Sequence, residues 1–141
     1  MELRWRVALG LWLAGGILLS YCFAQERSVH TIVIDVAKDK FEARPSPLRL
    51  EVTPDSKEGT RETFRWVRGQ PSAPFRIEFA NPNPCEANIS SDTNRVECVI
   101  VLRKPGNYRF KYQIVPSDQQ HHIIPGWGSI FARVNSCKGC P

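Results

Sequence analysis

The sequence has no G-x-S-x-G elbow, no H-E-x-x-H pair, no phosphate-binding glycine loop and no dinucleotide fingerprint. Those absences leave no signature of serine-hydrolase, zinc-protease or nucleotide-dependent chemistry, and the chain is read as a non-enzyme. It also lacks a helical pattern of useful length, an internal repeat and a low-complexity tract, which sets aside helical bundles and solenoids. Charge of one sign is never concentrated along the chain. Basic and acidic residues alternate, Arg49 with Glu51, Arg76 with Glu78 and Arg95 with Glu97. They read as solvated strand faces, without the basic cluster that binds nucleic acid.

One long apolar run is present, from Val7 to Leu19, and Arg4 and Arg6 precede it. Cys22 and Ala24 then place small residues three and one positions before a cut ahead of Gln25. A charged start, an apolar middle and a small-residue end make residues 1–24 a secretory signal. Cys22 would be a lipidated residue in a lipoprotein, but Tyr21 stands where such sites want a small side chain. The 18 residues from Val7 to Ala24 are also long enough for a retained anchor, since a spanning helix needs about 17 to 25. Gly10, Gly15, Gly16, Ser20 and Tyr21 weaken that reading. Under either reading the Arg residues favour the cytoplasmic side, so the rest of the chain is placed outside the cytosol. The expected location is secreted or periplasmic, with membrane contact only through an uncleaved anchor.

Cutting before Gln25 leaves 117 residues, 17 of them basic and 13 acidic. That length suits one domain, residues 25–141. The cut also lowers the cysteine count from five to four: Cys85, Cys98, Cys137 and Cys140. An even number in an oxidising compartment favours two disulfides, with three connectivities open. A Cys85–Cys98 bridge would close a ring of about 14 residues and stabilise by roughly 3 kcal/mol through loop entropy. A bridge across Cys137-Lys138-Gly139-Cys140 would add only about 2 kcal/mol. That pair therefore has a second reading as a redox dithiol or a soft-metal ligand pair, with Lys138 lowering a thiol pKa.

Beyond Gln25, apolar and polar residues alternate with period two, which puts the apolar members on one face of a strand. Ile32, Ile34 and Val36 form one such face; Leu48, Leu50 and Val52, Phe64 and Trp66, and Phe75, Ile77 and Phe79 form others. Tyr108, Phe110, Tyr112 and Ile114 stand opposite Arg109, Lys111 and Gln113. Further strands are predicted from Val96 to Arg103 and from Gly128 to Val134. Prolines and glycines fall between these runs, as they do where strands turn. Asp55 to Thr63 reads as an exposed hairpin connection. Seven or eight short strands predict an all-β, antiparallel, two-sheet β-sandwich.

From Phe41 onward the order of features resembles a cupredoxin: "PLRLEV", "FRW", "FRIEFAN", "KPGNYRFKY" and "GWGSIFARV" follow that family's layout. The resemblance implies a β-sandwich carrying copper, with a Cys ligand after the "PG-x-Y-x-F" strand and a His and an axial Met before the last strand. Here Gln113 and Ile114 continue the strand without a Cys, and Trp127 stands at the Met position. Only His121 or His122 matches a family ligand, whereas blue copper needs two His and a thiolate. The scaffold is thus cupredoxin-like without its usual copper ligands. An immunoglobulin-like sandwich gives much of the same pattern.

His121 and His122 lie in a polar loop, where adjacent residues of an extended segment point to opposite sides. They read as an exposed pair; the alternative is that they bind copper or zinc with Cys137 and Cys140. Trp127 either caps the end of the core or serves as a binding platform. His30 reads as an edge-strand residue. The leading functional reading is a binding or structural module for a protein partner, needing no cofactor. The rival is an extracytoplasmic metal-handling or thiol redox protein.

Overall fold

The computed structural model describes residues 28–80, 82–86, 90–92, 95–118 and 122–140. Residues 1–24, read above as a signal, and His121 lie outside the described residues. Among the described residues no helix is long and apolar enough to cross a membrane.

Among the described residues nine strands run in chain order: β1 (Val29–Ala37), β2 (Lys40–Arg44), β3 (Leu48–Val52), β4 (Thr60–Arg68), β5 (Phe75–Phe79), β6 (Ser90–Asp92), β7 (Arg95–Leu102), β8 (Gly106–Pro116) and β9 (Gly126–Val134). The first sheet has the order β2-β1-β4-β7-β6, the second β3-β9-β8-β5. Their apolar faces meet. Ile32, Ile34, Phe64, Trp66, Val96, Ile100 and Leu102 point in from the first sheet; Ile77, Tyr112, Ile114, Ile130 and Val134 point in from the second. Each such side chain, fully buried, is worth about 1.5–3 kcal/mol. Trp66 sits at the centre, edge-on to Tyr112 at 5.3 Å and to Phe79 at 5.8 Å between ring centroids.

The all-β, two-sheet sandwich follows the period-two pattern. The sheets are mixed, however, and not wholly antiparallel: β1 runs parallel to β4 and β3 parallel to β9. Alternating burial looks the same in either direction, so it cannot distinguish the two; parallel neighbours simply need a crossover in place of a hairpin. Here the chain supplies one by passing to the opposite sheet between β2 and β3 and again between β3 and β4. The segment Asp55–Thr63 is therefore no hairpin connection. It crosses between sheets, and from Thr60 it already belongs to β4, with Glu62 and Thr63 buried.

Strand β2 was not expected. β2 follows β1 through Lys38 and Asp39, whose φ values of 48° and 60° make a two-residue turn without glycine. β6 forms a short hairpin with β7 inside the segment bracketed by Cys85 and Cys98. Those two cysteines are disulfide-bonded, tying the chain before β6 to the inner face of β7. Cys137 is bonded to Cys140. The tail carrying them is fastened by backbone bonds from Asn135 N to Val52 O, 2.9 Å, and from Lys138 N to Pro54 O, 3.2 Å.

Candidate functional site

Because β9 is flanked by β3 and β8, its outward residues lie in the middle of the second sheet's solvent face. The sequence Gly126-Trp127-Gly128 sets which way they point. Gly128 is paired with Tyr112 across β8 and β9, and a Cβ placed there would lie 2.2 Å from the Tyr112 ring. A Cβ at Gly126 would lie 2.0 Å from the Phe41 carbonyl oxygen. Both inward positions therefore have to be glycine, and by alternation Trp127 faces solvent, 51% exposed. Ser129, Phe131 and Arg133 follow on the same side.

Cations converge on those rings. The Arg49 guanidinium, from β3, lies 4.8 Å from the Phe131 centroid, and that of Arg109, from β8, lies 5.1 Å from it. Lys111 Nζ lies 4.6 Å from the Trp127 centroid. Each exposed cation–π contact is worth about 0.5–1 kcal/mol, enough to hold a flexible basic side chain flat against a ring. A stacked guanidinium keeps its N–H edge outward, the geometry that receives a carboxylate at two points. Between these strands lies an open depression of about 590 Å³, lined by Arg49, Glu51, Asn107, Arg109, Phe131 and Arg133 among others.

The charges of this face are not balanced from within. Among the described residues, no carboxylate stands within ion-pair distance of Arg49, Arg109, Lys111 or Arg133. The acid nearest in register, Glu51, accepts a hydrogen bond from Asn135 Nδ2 at 2.9 Å. A basic patch thus forms in space from residues that alternate with acids in sequence. Reading the chain linearly missed it, because Arg49, Arg109 and Arg133 come from three strands and meet only through sheet pairing.

A second polar group is internal. Glu62 is 2% exposed and receives His30 Nε2 at 3.0 Å and Thr60 Oγ1 at 3.2 Å. His30 also stacks on Phe64 at 5.2 Å. This arrangement satisfies a buried carboxylate at the end of the sandwich. Deeper in, burial pushes the Tyr112 phenol up to about 12, opposed in part by the nearby Trp66 indole. Neither the Tyr112 hydroxyl nor Trp66 Nε1 has a hydrogen-bond partner of full geometry.

Of the residues singled out from sequence, Trp127 is placed on the basic face and away from the core end. His122 is exposed, near the start of β9. Cys137 and Cys140 sit at the other end of that strand, in a bonded pair. Among the described residues no group of three or more His, Cys, Asp or Glu side chains could hold a metal ion.

No protein family matches this chain, and no curated protein does. Among solved structures it is similar to the cysteine protease inhibitor EhICP2 from Entamoeba histolytica, with a TM-score of 0.46 and 10% identity over 78% of this chain and 98% of that one. It is also similar to the McoA multicopper oxidase from the hyperthermophile Aquifex aeolicus, with a TM-score of 0.41 and 13% identity over 77% of this chain and 30% of that one. Both likenesses concern the path of the backbone.

Proposed function

We propose that this chain is an exported, non-enzymatic binding module that engages a protein partner through the outer face of its second sheet. The observation that carries this reading is the paired placement of Arg49 and Arg109 over Phe131, with Lys111 over Trp127 beside them. Exposed aromatic and arginine side chains packed together at the middle of a surface are the usual anchors of protein interfaces. The secretory layout of residues 1–24 and the two disulfides support a compartment outside the reducing cytosol.

Site-specific photocrosslinking in the native compartment tests the reading. A photoreactive side chain at Ser129, between the two rings, is expected to give discrete protein adducts, and one at Val99, on the outer face of the first sheet, none. Adducts from Ser129 are expected to disappear in an Arg49→Glu/Arg109→Glu variant. Equal labelling from both positions overturns the proposal. Native mass spectrometry of the same material, with alkylation but no reduction, addresses the rival. Alkylated thiols or a retained copper or zinc mass would put a metal or redox role in its place.

A further inference from the structure

We infer that the partner segment this face receives is an extended acidic stretch whose carboxylates fall at alternate residues. The inference rests on the reading of this face as a protein-binding surface. Residues two apart on one strand and one side lie about 6.8 Å apart, and neighbouring strands about 4.8 Å. Arg109 and Lys111 thus repeat along β8 at the spacing at which an extended peptide presents side chains to one side. Arg49 stands across β9 from Arg109, about 10 Å away by the same strand spacing. A strand-like segment of the Glu-x-Glu type, laid along β9, would meet cations on both of its flanks.

The same contacts disfavour other occupants. Phe131 has guanidinium groups over it and Trp127 an ammonium, so neither ring is bare for stacking on a sugar or for insertion into a bilayer. A second copy of this face would bring four cations and one acid, Glu51, against the same set, a net repulsion. An acidic segment instead supplies the charge the face lacks, and complementary potentials raise both association rate and selectivity.

The experiment titrates the full disulfide-bonded protein with labelled peptides of one composition, glutamates either alternating with serine or gathered in one block. Fluorescence anisotropy reads binding at about 0.05 M and about 0.2 M salt, across the range where screening sharpens. The alternating peptide is expected to bind at least about tenfold tighter than the blocked one, and more weakly at the higher salt. Arg109→Glu is expected to weaken it about tenfold or more, and Arg109→Lys by less, because a lysine keeps the charge but loses the planar fork. Arg65→Glu, on the first sheet, is expected to leave it unchanged. Circular dichroism verifies that each variant is folded. Equal affinity for both peptides, indifference to Arg109→Glu, or tighter Arg109-dependent binding of a sulfated glycan or of anionic vesicles overturns the inference, as does self-association through this face. If the peptides fail while the Ser129 crosslinks persist, only the acidic segment is wrong. If both fail, the binding face itself is wrong.

Discussion

The two sheets are similar inside and different outside. On the first, cations and carboxylates neutralise one another: Arg65 Nε lies 2.7 Å from Glu97, Arg95 shares the same carboxylate, Arg61 pairs with Glu86 and Arg44 with Asp35. On the second, only the edge strand β5 behaves this way, with Arg76 and Glu78 at 2.8 Å. Strands β3 and β8 leave Arg49, Arg109 and Lys111 to the aromatic rings of β9. Both faces satisfy the alternation that folding requires, so folding does not explain the difference. A face that closes its own ion pairs is finished, whereas one that holds cations open on rigid rings has affinity left for something else.

If that contrast matters, the strand that displays the rings ought to be held firmly from behind, and the largest expected effect follows from that. Gly128→Ala would push a methyl group to within 2.2 Å of the Tyr112 ring, which packs against the fully buried Trp66 and the partly buried Phe79. The ring cannot withdraw without displacing Trp66. A loss of about 3 kcal/mol or more in chemical denaturation is expected, at the upper end for overpacking. A loss below about 1 kcal/mol would mean that β9 is free to shift and that the rings are not rigidly presented.

Tyr112 provides the next effect, at alkaline pH. Its folded value of about 12 exceeds the ordinary tyrosine value of about 10, so the folded state keeps the proton longer. The stability tied to that proton is complete below about pH 10 and is lost as pH rises through about 12, amounting to about 2–3 kcal/mol. Tyr112→Phe removes a hydroxyl that has no partner and is expected to change stability at neutral pH by less than about 1 kcal/mol. The variant is expected to lose less stability than the parent between pH 10 and 12, read from urea midpoints. An identical alkaline decline in both would show that the buried phenol is not its source.

Tyr108 to Ile114 was legible as a strand because four apolar side chains in strict alternation leave no other regular structure. Lys40 to Arg44 was not, although Phe41 and Ala43 alternate with charges. Its turn, Lys38-Asp39, takes positive φ without glycine, and the usual hairpin signal is missing. Glu62 reads as part of a polar loop, because nothing local reveals that His30, 32 residues earlier, comes to satisfy it. Trp127 stood out, but its direction depended on two glycines whose need is visible only when Tyr112 and Phe41 are in place behind them. The basic face was the hardest to see: Arg49, Arg109, Lys111 and Arg133 come from three strands, and only the order β3-β9-β8 gathers them around a single acid, Glu51.

The smallest expected effect cuts most directly between the two faces. Arg65→Glu on the first sheet places a carboxylate against Glu97 and leaves Arg95 to serve both, so a loss of about 0.5–1 kcal/mol in stability is expected, within the range for half-exposed pairs in a sheet. Arg109→Glu on the second sheet breaks no ion pair. It gives up one cation–π contact, worth about 0.5–1 kcal/mol, and relieves repulsion among Arg49, Lys111 and Arg133, so the two changes offset and the thermal midpoint is expected to stay within a few degrees of the parent. Salt separates the variants further. Raising ionic strength weakens the attractions that hold the first face together and the repulsions that strain the second. The stability gap between parent and Arg65→Glu therefore narrows with salt, while Arg109→Glu loses whatever advantage it had at low salt. Equal salt responses from the two substitutions would mean that the faces are electrostatically alike, and the open cations of the second sheet would then need no partner to explain them.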